Sequence, residues 1–384
     1  MFSALAADLA ALEADGLRRR RRVLESPQRA RVTVDGRDYV AFCSNDYLGL
    51  AAHPELVAAA REGAGIYGVG SGASHLILGH TRAHHDLEDA LAAFSGLPAA
   101  LFFSTGYMAN LGLVTALAAR GDAVFADRLN HASLNDAALL SRAVFKRYPH
   151  KDMAALERQL RTTQAKRKLI VSDTVFSMDG DLAPIAELLE LAERYDAWLV
   201  LDDAHGFGVL GARGRGALEQ AQIASPRIAY MATLGKAAGV YGAFVAGERA
   251  LIETLVQRAR TYIYTTAAPA LLACALRASL KLIEHESWRR DHLVRLVATL
   301  KTALRESAWQ LMPSDTAIQP LVIGASTDAV AVSAQLEARG FLVPAIRPPT
   351  VPSGTARLRI SLSADHRIED VEGLAAAILS TSRA

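Results

Sequence analysis

The sequence predicts an α/β fold built on a mostly parallel sheet, followed by a smaller α+β unit. Three observations carry this expectation. From about residue 53, short apolar runs alternate with helical patterns, the rhythm of β-α-β units. The runs are apolar throughout, as in strands covered by helices on both faces. From Leu271 to about Ala308 the pattern turns nearly all helical, and strands and helices resume beyond it.

In chain order, residues 3–24 read as an amphipathic helix ending in five arginines, Arg18 to Arg22. Val32–Val34, the turn Asp35-Gly36 and Tyr39–Phe42 read as a short hairpin. Helix and hairpin form an N-terminal arm over 1–43. Strands are expected at Ala99–Phe103, Ala123–Ala126, Lys168–Ser172, Trp198–Leu201, Ile228–Ala232 and Ala243–Ala246. Helices are expected at Leu87–Phe94, Tyr107–Ala119, Met153–Leu160 and Pro184–Tyr195, the last with Pro at its start, where a missing N–H costs nothing. These elements fill a large domain over 44–281. The smaller unit, 282–384, holds strand Ile318–Ile323, helix Val330–Arg339, strand Ala356–Leu362 and helix Ile368–Leu379. No Pro/Gly/Ser-rich linker marks the joints.

With 384 residues, 51% hydrophobic and 21% charged, the chain can bury a large core without staples. Lys plus Arg number 42 against 40 Asp plus Glu, a formal net charge of +2, which argues against a nucleic-acid binder. Aromatics at 6% offer no base-stacking platform. No run is long and apolar enough to span a bilayer, and the N-terminus lacks the pattern of a signal peptide, so a cytoplasmic protein with no membrane partner is expected. Cys43 and Cys274 are expected to be small buried hydrophobes in a reducing compartment, and no Cys/His spacing resembles a zinc site. The arginine run, by the general rule for charge runs, is a solvated face.

Four stretches could carry chemistry. Thr233-Leu234-Gly235-Lys236-Ala237-Ala238-Gly239 follows an apolar strand and holds one lysine among small residues. A Schiff-base lysine needs a lowered pKa, which a desolvated pocket supplies, and small neighbours let a planar group approach. A lysine in a glycine-rich loop is more often merely solvated. Trp198 to Leu201 run into Asp202, Asp203 and His205, at a strand end where open α/β sheets bind ligands. A carboxylate there can keep a pyridine nitrogen protonated, and His205 could meet a phenolic oxygen of the same ring. The competing readings are a capping aspartate or a metal site, and the metal reading lacks a further ligand at the right spacing. Ser104-Thr105-Gly106-Tyr107-Met108-Ala109-Asn110 joins a strand to a helix whose N-terminus suits a phosphate, or is a plain cap. Asp127 to Ser133 contains His131 just after a strand, either structural or placed to stack on a ring or to donate to a substrate oxygen. Jointly the four ask for one ligand with a phosphate, a pyridine nitrogen, a phenol oxygen and an aldehyde.

These motifs, with Val175-Phe176-Ser177-Met178-Asp179-Gly180-Asp181, Ser44-Asn45-Asp46-Tyr47-Leu48-Gly49-Leu50 and Gly70-Ser71-Gly72-Ala73-Ser74, resemble the α-oxoamine synthases over nearly the full length. Those are pyridoxal 5′-phosphate (PLP) enzymes of fold type I that condense an amino acid with an acyl thioester. The resemblance implies a mostly parallel seven-stranded central sheet. Within the family, Ala345 to Arg359, with Arg347-Pro348-Pro349-Thr350 where relatives usually carry Tyr-Pro, resembles the members that join L-alanine to a pimeloyl thioester in biotin synthesis. Other members use glycine or serine, and a PLP aminotransferase is a more distant alternative.

The resemblance also implies roles. Lys236 would carry the cofactor and move the proton, Asp202 would pair with the pyridine nitrogen, His205 would contact the phenolic oxygen, and His131 would stack on the ring. Gly106, Tyr107, Ser177 and Thr233 would also touch the cofactor. Arg359 would hold the substrate carboxylate with help from Asn45, while Arg18, Arg347 and Thr350 match acyl-substrate positions. Thr265 or Thr266 would reach the phosphate of a neighbouring subunit, giving a homodimer with shared sites. The arginine run could guide an acyl carrier protein or coenzyme A. Two departures from the family pattern, Ala237-Ala238-Gly239 and Ala267-Ala268-Pro269, bear on loop geometry.

Overall fold

A computed structural model of the chain describes residues 2–14 and 18–381. The hairpin strands are β1 (Arg31–Val34) and β2 (Arg37–Ala41). Seven strands follow: β3 (Ala99–Phe103), β4 (Ala123–Asp127), β5 (Val144–Tyr148), β6 (Lys168–Asp173), β7 (Ala197–Asp202), β8 (Ile228–Thr233) and β9 (Ala243–Gly247). They form one sheet in the order β3-β9-β8-β7-β6-β4-β5. Only β9 is reversed, pairing antiparallel with both β3 and β8. The carboxyl ends of the other six therefore leave by the same edge.

Alternation along each strand sends side chains to two cores. Phe102, Phe125, Ile170, Leu199, Tyr230 and Phe244 face one, with the helices Arg82–Ser95, Ile185–Arg194 and Ala270–His285. Leu101, Val124, Val171, Val200, Met231 and Val245 face the other, with the helices Gly106–Leu117, Ala132–Ser141 and Arg249–Arg258. Burial on both faces is why the strands carry no polar alternation.

The remaining strands are β10 (Gln310–Leu311), β11 (Ile318–Gly324), β12 (Phe341–Leu342), β13 (Ala345–Ile346) and β14 (Ala356–Ser361). An antiparallel sheet β10-β11-β14-β13 carries the helices Ser326–Ala338 and Ile368–Leu379, and β12 joins the hairpin beside β2. The α/β class with a mostly parallel seven-stranded sheet and a smaller antiparallel sheet is thus as expected.

Three expectations need correction. The helix expected over 3–24 covers only Ser3–Ala14, and its described side chains are exposed along every face. Asp15, Gly16 and Leu17 lie outside the described residues, and Arg18 to Arg22 are not helical. An Asp-Gly pair is a helix-stop signal. Strand β5 was not anticipated. It is a sheet edge with Lys146 and Arg147 in it, so its pattern is not the continuous apolar run of the inner strands. Cys43 is exposed and Cys274 half-buried, both as free thiols, rather than fully buried. No helix among the described residues is long and apolar enough to cross a membrane.

Candidate active site

The shared strand edge gathers the predicted chemistry. Gly106 follows β3, His131 follows β4, Ser177 follows β6, Asp202 ends β7, and Lys236 lies three residues past β8. Gly106, Tyr107, His131, Ser177, Asp202, His205, Thr233 and Lys236 all line one cavity of about 190 Å³.

Lys236 is pinned by its loop. The loop starts and ends on the paired residues Thr233 and Ala243. Within it, Leu234 N–H donates to Gly242 O at 2.8 Å and Gly239 N–H to Lys236 O at 2.8 Å. Ala237 and Ala238 are buried, and Ser279 Oγ–H donates to Ala238 O at 2.7 Å. Gly239 has φ +68°, and a Cβ there would lie 2.6 Å from Leu50 C, so this glycine is required by both backbone shape and space. The alanine pair that departs from the family pattern therefore sits inside a well-packed loop.

The Lys236 amine is enclosed, and desolvation lowers its pKa to about 8, against the opposing pull of Asp202 and Asp173. Its Nζ lies 2.8 Å from His205 Nε2, and His205 Nδ1 lies 2.6 Å from Tyr47 OH. Burial, then the Lys236 charge, hold His205 well below the usual histidine range. Its ring is neutral, so Nε2 accepts from Lys236 and Nδ1–H donates to Tyr47. Tyr47 OH in turn donates to Asn45 Oδ1 at 3.1 Å. Arg359 is 6% exposed and joins the same network, with Nη1–H donating to Asn45 Oδ1 at 3.2 Å and to Ser361 Oγ at 2.8 Å. Arg359 Nε–H donates to Ser177 O at 2.6 Å, tying the small sheet to the loop after β6.

Asp202 accepts at both oxygens, from Ala204 N–H at 3.0 Å and from Asn110 Nδ2–H at 2.7 Å. Asp173 accepts from His131 N–H at 2.7 Å. Its carboxyl is pushed well above the usual range by burial and then by Asp202. Tyr47, Asn110, Ser133, Asp173 and Met231 are part of this site without having been singled out in the sequence. Tyr47, Asn110 and Ser133 lay inside recognised motifs, but their roles appear only in their contacts, that of Tyr47 where it meets His205.

Other expected residues lie apart from the cavity in this chain. Arg18 is exposed and pairs with Glu13 at 3.1 Å. Thr350 is exposed and Arg347 half-buried. Thr265 is half-buried, Thr266 is exposed, and the Thr265 hydroxyl donates to Thr266 O at 3.4 Å.

The donor set suits PLP. One enclosed amine can meet an aldehyde, and one fully hydrogen-bonded carboxylate can face a ring N–H. The helix Gly106–Leu117 presents its N-terminus, where the first N–H groups have no partner within the helix. Thr105 Oγ1 caps Met108 N–H at 3.1 Å, and Gly106 leaves the approach open, the nearest side-chain atom to a Cβ there being Thr233 Cβ at 3.7 Å. Asn110 Oδ1, buried without a partner, marks the site as polar rather than a packing void.

Known proteins agree. The family model for aminotransferase class I and II matches residues 37–378. The 8-amino-7-oxononanoate synthase of Nitrosospira multiformis is 65% identical over 96% of this chain and 93% of its own. The Sphingomonas wittichii serine palmitoyltransferase superposes with a TM-score of 0.93 at 31% identity, over 99% of this chain and 96% of that one. A structure of SPT with a PLP internal aldimine gives a TM-score of 0.92 at 28% identity, over 99% and 96%. With the same fold as these structures and 65% identity over nearly its whole length, the chain belongs to the aminotransferase class I and II family and, within it, to the 8-amino-7-oxononanoate synthases.

Proposed function

We propose that Lys236 holds the cofactor and carries the substrate proton, with Asp202, His131 and His205 around the ring. The activity served is that of an 8-amino-7-oxononanoate synthase in biotin biosynthesis, a PLP-dependent acyl transfer. When bound, PLP supplies an aldehyde for an amine and a protonated ring that takes up negative charge. The observation that carries the residue assignment is the convergence of Lys236, Asp202, His131 and His205 on one cavity.

The reaction is the decarboxylative joining of L-alanine to a pimeloyl thioester. Lys236, neutral once its proton is gone, removes the alanine Cα proton as general base. A bond then forms from Cα to the acyl carbon as the carbon–sulfur bond breaks, and the departing thiolate takes up a proton from solvent. The alanine carboxylate departs as CO₂, and Lys236 returns a proton to Cα. Asp202 would pair with the ring nitrogen and favour its protonated form, and His205 would contact the phenolic oxygen. Gly106, Tyr107, Ser177 and Thr233 hold the cofactor. Arg359, aided by Asn45, binds the alanine carboxylate through Nη2, the guanidinium nitrogen least engaged within the chain, by a charge-assisted hydrogen bond.

Arg18, Arg347 and Thr350 serve the acyl chain, and Thr265 or Thr266 reaches the phosphate in a second copy of the chain, making a homodimer with shared sites. The arginine run, of which Arg22 is committed to Asp35 and Glu337, steers an acyl carrier protein or coenzyme A to this site in the cytoplasm. The test is release of thiol and CO₂ from the purified holoenzyme. L-Alanine with a pimeloyl thioester should turn over fastest, and faster turnover with glycine or serine and another acyl-CoA overturns the reading.

A further inference from the structure

Asn110 is 1% exposed, one turn into the helix Gly106–Leu117. Its Nδ2 donates twice, to Asp202 Oδ2 at 2.7 Å and to Ser133 Oγ at 2.9 Å. Its Oδ1 is buried with no partner. Turning the amide over would place that oxygen against the Asp202 carboxylate, so the orientation is fixed by charge. An orphan acceptor is costly, and an amide present only to fill the core would not keep one.

The hydrogen bonds continue in one direction. Ser133 Oγ accepts from Asn110, so its own proton is free for His131 Nδ1, 2.7 Å away. Ser133 N–H also points at His131 Nδ1, at 3.3 Å. Two donors at Nδ1 make that nitrogen an acceptor and leave the ring proton on Nε2.

We propose that Asn110 is a positioning residue whose one amide holds Asp202 as an acceptor and, through Ser133, holds His131 as an Nε2–H donor. The carboxylate assigned to the ring nitrogen and the histidine assigned to the ring face then share a single anchor. This rests on the reading that Lys236 carries PLP in this cavity.

The test uses the holoenzyme at saturating PLP, with two readouts. The first is exchange of the L-alanine Cα proton in D₂O. Asn110→Ala and Ser133→Ala should each slow it roughly tenfold to a hundredfold, the range for removing an outer partner of an active-site ligand. The double variant should be little slower than Asn110→Ala, because the two substitutions break one chain. The second is the ring ¹⁵N shifts of His131 in histidine-labelled protein, assigned by the signal lost in His131→Gln. They should report Nε2–H in the parent and a raised Nδ1–H fraction in Ser133→Ala, where only the longer backbone N–H bond to Nδ1 is left. Exchange at the parent rate in Asn110→Ala, additive losses in the double variant, or an unchanged tautomer in Ser133→Ala overturns the proposal. Lys236→Ala separates the two levels. If it keeps the parent's visible cofactor band, the reading beneath the proposal fails. If it loses the band while Asn110→Ala exchanges at the parent rate, the relay alone is rejected.

Discussion

Lys236 Nζ and His205 Nε2 are 2.8 Å apart, and the imidazole accepts the hydrogen bond. The acceptor role is set from behind by Tyr47 at Nδ1, 2.6 Å away. A neutral histidine beside an ammonium stabilises the charged lysine less than a carboxylate would. The Asp202 and Asp173 carboxylates act on it from farther away, so the lysine pKa settles at about 8 rather than far lower.

The pH dependence of cofactor uptake follows. Only the neutral amine condenses with an aldehyde. The rate at which cofactor-free protein takes up PLP should rise about tenfold per pH unit below pH 8 and level off above it. Stopped-flow absorbance at several pH values checks this. A rate still climbing beyond pH 10 would mean an ordinary lysine.

Asp202→Asn should still take up PLP through Lys236. Its L-alanine Cα-proton exchange should fall about 10²- to 10³-fold, the range for losing one preorganised electrostatic partner. Proton NMR of alanine in D₂O measures it, and exchange near the parent rate would remove Asp202 from its assigned role.

Arg359→Lys keeps the charge but loses the planar fork. A charge-assisted hydrogen bond contributes about 1.5–3 kcal/mol, so KM for L-alanine should rise roughly tenfold to a hundredfold with PLP affinity near the parent's. An unchanged KM would place the alanine carboxylate elsewhere.

His150 bears on stability. It lies 3.0 Å from Asp127 Oδ1 and 3.0 Å from Asp181 Oδ2, linking the end of β4 to the loop that carries Ser177. Partial burial opposes its charge, but the two aspartates prevail and raise its pKa to about 9. A folded pKa above the unfolded value of about 6.5 adds stability fully below pH 6.5 and loses it as pH rises through 9. The imidazole is 25% exposed and its charge partly screened by solvent, so the effect is discounted to about 1–2 kcal/mol. His150→Gln should lower Tm at pH 6 and leave it nearly unchanged at pH 10. An equal loss at both pH values would show packing, not charge.

Much of the fold was legible because inner strands announce themselves. Val124, Ile170 and Leu199 sit in runs with no polar break, whereas β5, with Lys146 and Arg147 at the sheet edge, does not. The arm was misread because the helical spacing of alanines and leucines outweighed the stop signal at Asp15-Gly16. In the site, Lys236, Asp202 and His205 were found because each follows a strand in an unusual local sequence. Asn110 was not, since within Ala109-Asn110-Leu111 it looks like one polar residue on an apolar helix. Its meaning comes from Asp202, 92 positions away.

The reversal of β9 has a mechanical consequence. Had the chain crossed over from β8 to another parallel strand, Lys236 would have stood on a long connection free to bend. Instead the loop closes on the rung Thr233–Ala243, lies close against Leu50 at Gly239 and accepts a hydrogen bond from Ser279. The lysine is a lever on a fixed pivot. Whatever distance its nitrogen must travel between anchoring and proton transfer is covered by its own four-carbon stem, with the frame standing still.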